Sequence, residues 1–149
     1  MADSGAGTGT YAERAASILA PGANFTCWVD SGAAKCVGLN DRGQLGDGTT
    51  TTRAAAVGVT GLSSGVMAIA SGANHACVLL STGAVKCWGG NDRGQLGDGT
   101  TTDSTSPVQA TGLSSGVVRI DAEADTTCAV TLAGAVKCWG NNQTFGTGT

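Results

Sequence analysis

One segment is written three times in this chain, about 51 residues apart, and that period limits the fold more than any single residue does. Residues 40–51 read NDRGQLGDGTTT, and residues 91–102 repeat those letters. TGLSSGV stands at 60–66 and again at 111–117. GAVKCWG occupies 83–89 and 134–140, with GAAKCVG at 32–38 as a degraded first copy. A unit of this length buries its apolar face only by stacking on its neighbours. A chain made this way works through shape and stacking, seldom through one site placed once.

The repeats divide the 149 residues into units at approximately 11–61, 62–112 and 113–149, after a small, polar segment 1–10 that reads as flexible. That segment lacks the pattern of a secretory leader; a leader already removed, or a Met1 that belongs to a fragment, are the competing readings. With 25 glycines, 4% aromatic and 13% charged residues, the chain is too Gly-rich for a helical fold and too apolar for disorder. A net charge of −3, with its 8 Lys and Arg spread out, argues against nucleic-acid binding. No apolar run approaches the roughly 20 residues of a membrane helix.

The 6 cysteines fall into pairs, Cys27 with Cys36, Cys77 with Cys87, and Cys128 with Cys138, each spanning a small-residue turn between strand formers. If the middle hairpin closes symmetrically about Thr82, Cys77 faces Cys87 across it, near enough for a cross-strand disulfide. Three local disulfides predict an oxidising, extracellular or cell-surface location. Free buried thiols rank second. Zinc ranks below them, because the spacing supplies no close pair of ligands. Asn24-Phe25-Thr26 and Asn142-Gln143-Thr144 are glycosylation sequons, so covalent glycans at Asn24 and Asn142 are expected in a glycosylating source.

In the middle copy, residues 66–70, 75–80 and 84–88 read as strands, followed by a polar, Gly-rich loop to residue 106 and a fourth strand at 107–111. Three or four short strands per unit predict an all-β chain of propeller-type blades. The string SGANHACVL, then GAVKCWG, then NDRGQLGDGT resembles the repeat of the regulator of chromosome condensation family, in its cysteine-containing bacterial-type and extracellular versions. The resemblance covers essentially the whole chain and implies four-stranded blades, of which about two and a half are present, in an incomplete ring. It also implies binding functions served by exposed loops and a central surface.

The loops Gly43-Gln44-Leu45-Gly46 and Gly94-Gln95-Leu96-Gly97 read as structural. Gly supplies positive φ, the leucines plug the joint between blades, and the glutamines satisfy loop backbone. No Lys-Ser/Thr completes a phosphate loop, and no calcium spacing fits, so no cofactor and no metal are expected. His75 is the one histidine and occupies the position of Phe25 and Thr126, which leaves no triad to assemble. Trp88 and Trp139 are expected to pack on a neighbouring blade. Asp121, Glu123 and Asp125 would share one face of an extended strand, an acidic row fit for solvent or for a neighbouring chain. From the open blade edges, the leading expectation is a non-catalytic extracellular scaffold that self-assembles into an oligomer or filament. A protein-binding propeller, inhibitor-like or adaptor-like, or a fragment of a seven-bladed one, is the alternative.

Overall fold

The computed structural model describes residues 18–141 as eleven strands, with no helix among them. The first sheet holds β1 (Leu19–Pro21), β2 (Phe25–Asp30), β3 (Ala33–Gly38) and β4 (Arg53–Gly58). The second holds β5 (Val66–Ser71), β6 (His75–Leu80), β7 (Val85–Gly89) and β8 (Ser104–Gln109). The third holds β9 (Val117–Glu123), β10 (Thr126–Thr131) and β11 (Val136–Gly140). Each sheet is antiparallel and follows chain order, so each is an up-and-down blade; we call them A, B and C. The segment 1–10 and Asn142 lie outside the described residues.

All three cysteine pairs form disulfides across directly opposed residues, with Cα atoms 4.1, 4.0 and 4.0 Å apart. Blade A reaches that register with one residue fewer because its hairpin uses a different turn. Ser31 and Gly32 both have positive φ (52° and 82°), the two-residue turn matched to strand twist. In blade B the turn takes three residues, Ser81, Thr82 and Gly83, and only Gly83 is left-handed. Intact mass under non-reducing conditions should match the sequence less six hydrogens, and no thiol should react with iodoacetamide until a reductant is added. A single labelled cysteine in the native protein would contradict this pairing.

The core lies between blades. Phe25, Cys27, Ala34 and Cys36 of blade A face Val66, Ile69, Val78 and Trp88 of blade B in one cluster. Cys77, Val85 and Cys87 of blade B face Val117, Ile120 and Ala129 of blade C in the second. Two disulfides are therefore buried in the joints, where a small, rigid cross-link lets the next blade approach closely. The first strands meet near one line, β5 packing on β1 and β9 on β5.

The expected fourth strand of blade B starts at Ser104 instead of Pro107. Cys87 pairs with Val108 but Gly89 with Ser104, so the ladder bulges between them. That bulge draws Ser104, Thr105 and Ser106 into the strand although none of them is apolar.

A repeated joint and a candidate protein-interaction surface

The NDRGQLGDG loops turn out to be the sockets on which each following blade seats. Asn40 organises the first from a buried position: its Oδ1 accepts the Leu45 N–H at 2.9 Å, while its Nδ2 donates to the carbonyls of Thr49 and Thr51, both at 3.0 Å. Asn91 repeats this with Leu96, Thr100 and Thr102, each at 3.0 Å. Gln44 and Gln95 take the backbone N–H of Arg42 and Arg93 at 2.7 and 2.8 Å. Burial disfavours the Asp47 carboxylate, yet hydrogen bonds from Thr49, Asn40 and Arg53 hold its pKa below the ordinary value. Sequence alone does not single out the two asparagines; their one signal there is that they open both copies of the twelve-residue segment.

Leu45 and Leu96 are fully buried, as expected of plugs. The Trp88 Nε1–H donates to the Gln44 carbonyl at 2.8 Å, and that of Trp139 to the Gln95 carbonyl at 2.9 Å. Gly46 and Gly97 have φ of 66° and 72°, and a Cβ on either would run into the tryptophan ring. Ring, carbonyl and glycine thus form one fitted joint, made twice. At the rim, Arg42 of the first loop donates to both oxygens of Asp103, each at 3.0 Å, and lies 3.3 Å from Asp92. Asp103, followed by Asp92, raises the Arg42 pKa. The exposed setting keeps this fork to about 1 kcal/mol or less.

His75 is buried in the joint between blades B and C. Its Nε2 lies 2.8 Å from Thr127 Oγ1, whose own proton goes to the Gln95 carbonyl at 2.9 Å. A hydroxyl has one proton to give, so the histidine must donate from Nε2 and carry none on Nδ1. Among the described residues Nδ1 has no hydrogen-bond partner, and burial lowers the His75 pKa to about 4.

The acidic residues do not form the expected row. Asp121 and Glu123 lie on β9, but Ala124 has a left-handed φ of 51°, which turns the chain before Asp125. Asp125 instead accepts from Gln95 Nε2 at 3.3 Å, and Asp121 from its neighbour's N–H at 2.9 Å. The odd composition has a steric origin. Glu123 holds the place of Gly22 and Gly72, where a Cβ would overlap the Phe25 and His75 rings. In blade C the ring is replaced by Thr126, and glycine is no longer required. Among the described residues no group of three or more metal-ligating side chains converges.

Two further surface features lie among the described residues. β1, β5 and β9 border a cleft of about 240 Å³ that includes Ala20, Ser71 and Asp121. At the turn end of blades B and C lies a more apolar groove of about 350 Å³, lined by Met67, Leu80, Val117, Val118 and Leu132. Its cause is a repeated β-bulge. Val66 pairs with Leu80 and Ala68 with Leu79, which leaves Met67 out of the ladder; Val118 is left out in the same way between Val117 and Arg119. A bulge re-aims its extra side chain, here into solvent. Met67, Val118 and Leu132 are 54%, 50% and 80% exposed. Asn24 is exposed in the turn before β2.

Stacked antiparallel sheets of four, four and three strands, joined through loop sockets, define a run of β-propeller blades. The model of the regulator of chromosome condensation (RCC1) repeat matches residues 67–95 and, in a second form, 82–130. The ultraviolet-B receptor UVR8 of Arabidopsis thaliana is 31% identical over 138 residues, covering 90% of this chain and 31% of the receptor. Human WBSCR16 superposes with a TM-score of 0.70 at 23% identity, over 82% of this chain and 33% of that one. Prp20p of Saccharomyces cerevisiae, described with its binding properties to Gsp1p and histones, gives 0.69 at 23% identity, over 84% and 32%. The chain belongs to the RCC1-repeat family and spans about a third of the length of these relatives.

Proposed function

We propose that this chain is a non-catalytic, protein-binding run of propeller blades, and that it binds through the apolar groove at the turn end of blades B and C. The observation that carries this reading is the bulge made twice, which exposes Met67 and Val118 at one repeat position beside Leu132. Exposing apolar side chains twice by one device marks a contact surface, since scattered apolar exposure has no reason to follow the repeat. The protein ligands in the description of Prp20p support the class of function. The three disulfides support an oxidising, extracytoplasmic location, where Asn24 is open to glycosylation.

The test places a photo-crosslinking side chain at position 67 or 132, identifies the captured protein, and measures its purified affinity. Met67→Asp with Leu132→Asp should weaken that affinity more than tenfold while leaving the melting temperature within about 2 °C. Unchanged affinity in the double variant would remove the groove from the function.

Self-assembly through the open blade faces ranks second, and one residue lowers it. Head-to-tail stacking would bring blade A onto a preceding loop, yet Val37 stands where Trp88 and Trp139 supply the ring and the donor for that joint.

A further inference from the structure

We propose that Met67 is a modification site, and that its oxidation by a hydroperoxide turns the groove between blades B and C from apolar to polar. All six cysteines are closed in disulfides, and the two methionines are Met67 and Met1, which lies outside the described residues. Met67 is thus the one described sulfur that is not already oxidised. A methionine in a packed core is screened from oxidants by its neighbours. Met67 is 54% exposed, because the bulge between Val66 and Ala68 takes it out of the β5 ladder and re-aims its side chain into solvent. It belongs to neither core cluster. Access to the sulfur therefore needs no opening of the fold.

The same bulge puts that sulfur in the groove wall. Blade C makes the equivalent bulge with Val118, so the backbone device itself asks for no thioether. The remaining apolar lining is Leu79, Leu80, Val117 and Leu132, none of which reacts with a peroxide. The whole oxidant sensitivity of this surface is therefore concentrated in one side chain. In the reaction the thioether lone pair takes the hydroxyl oxygen of the hydroperoxide. The S–O bond forms, the O–O bond breaks, and the proton passes to the leaving oxygen, which departs as water or an alcohol. Sulfur loses two electrons and the peroxide gains them. The product is a polar sulfoxide whose oxygen is a hydrogen-bond acceptor, in a groove that Ser81 and Thr82 also line. A ligand that buries apolar surface against Met67 must then strip water from that oxygen, which costs affinity. The chemical step stands by itself; its effect on binding rests on the groove being the contact surface.

The test treats the native full chain with hydrogen peroxide, maps the modified residue by peptide mass, and follows binding of anilinonaphthalene sulfonate as an apolar probe. Met67 should gain one oxygen at a rate within about threefold of free methionine. Probe affinity should fall about fivefold, with the melting temperature held within about 2 °C. Met67→Leu, compared only with itself before and after peroxide, should show no such fall although it keeps Met1. Met67 staying unmodified in the native chain while the urea-unfolded chain is oxidised overturns the proposal, and so does a loss that persists in Met67→Leu. Leu132→Asp separates this inference from the reading beneath it. If that variant weakens the probe and oxidation of Met67 does not, the groove stands and the oxidation switch falls. If neither weakens it, the groove reading falls and takes the switch with it.

Discussion

Trp88→Ala should cost the chain about 3–5 kcal/mol, the largest loss expected from any single side chain in it. Trp88 is fully buried between blades A and B, donates to the Gln44 carbonyl and lies against Gly46. Truncation removes the ring from the first core cluster, leaves a cavity that the disulfide-braced strands cannot collapse into, and strands a buried carbonyl. Trp139→Ala, at the equivalent position of blade C, should cost roughly half as much, because that ring is only half-buried. Chemical denaturation of both variants measures the difference. Equal costs would mean that the ring's worth lies in its hydrogen bond, which both tryptophans make, and not in burial. Gly46→Ala tests the other side of the same joint. Its φ of 66° disfavours any Cβ, and the added methyl meets the Trp88 ring.

What could be read from sequence was what is local and repeated. Cysteines opposed across a small-residue turn give a disulfide from strand geometry alone, and GQLG copied intact signals a loop whose glycines need positive φ. The tryptophans belong to the same class: they recur beside a cysteine, and a recurring ring in a stacked repeat packs on the neighbouring unit. The remainder depends on context that spacing does not carry. β8 begins in Ser104-Thr105-Ser106, which has no apolar alternation, because a bulge and a neighbouring loop hold it; Thr105 accepts the Gly48 N–H from blade A at 2.9 Å. Asn40 and Asn91 look like ordinary polar loop residues until their carboxamides are seen closing the loop from inside. Period-2 spacing groups Asp125 with Asp121 and Glu123, and a single left-handed residue, Ala124, takes it off that face. Bulges at Met67 and Val118 are equally invisible, since VMAIA and VVRID read as unbroken strands.

The stability of this chain should fall by about 3 kcal/mol between pH 6.5 and pH 4 through His75 alone. Buried in the joint between blades B and C, His75 has its pKa lowered from 6.5 to about 4. Unfolded, it takes up a proton as the pH drops below 6.5; folded, it does not until about pH 4. The unfolded state therefore binds more protons across that window, and stability falls with decreasing pH by about 1.4 kcal/mol per unit. Above pH 6.5 the contribution is fully present. Protonation would place a charge on Nδ1, where the described residues offer no acceptor, beside the Thr127 hydroxyl already committed to the Gln95 carbonyl. His75→Phe isolates the effect, because blade A holds Phe25 at this position over the same glycine clearance, Gly22 in place of Gly72. Asp121, Glu123 and Asp125 on the facing blade are present in both proteins, so the comparison isolates the side chain at position 75. Urea denaturation at pH 7, 6, 5 and 4 should give a wild-type stability that drops more steeply than that of His75→Phe, with the gap opening below pH 6.5. Parallel curves would mean that water reaches Nδ1 and that the joint between blades B and C is open at the imidazole.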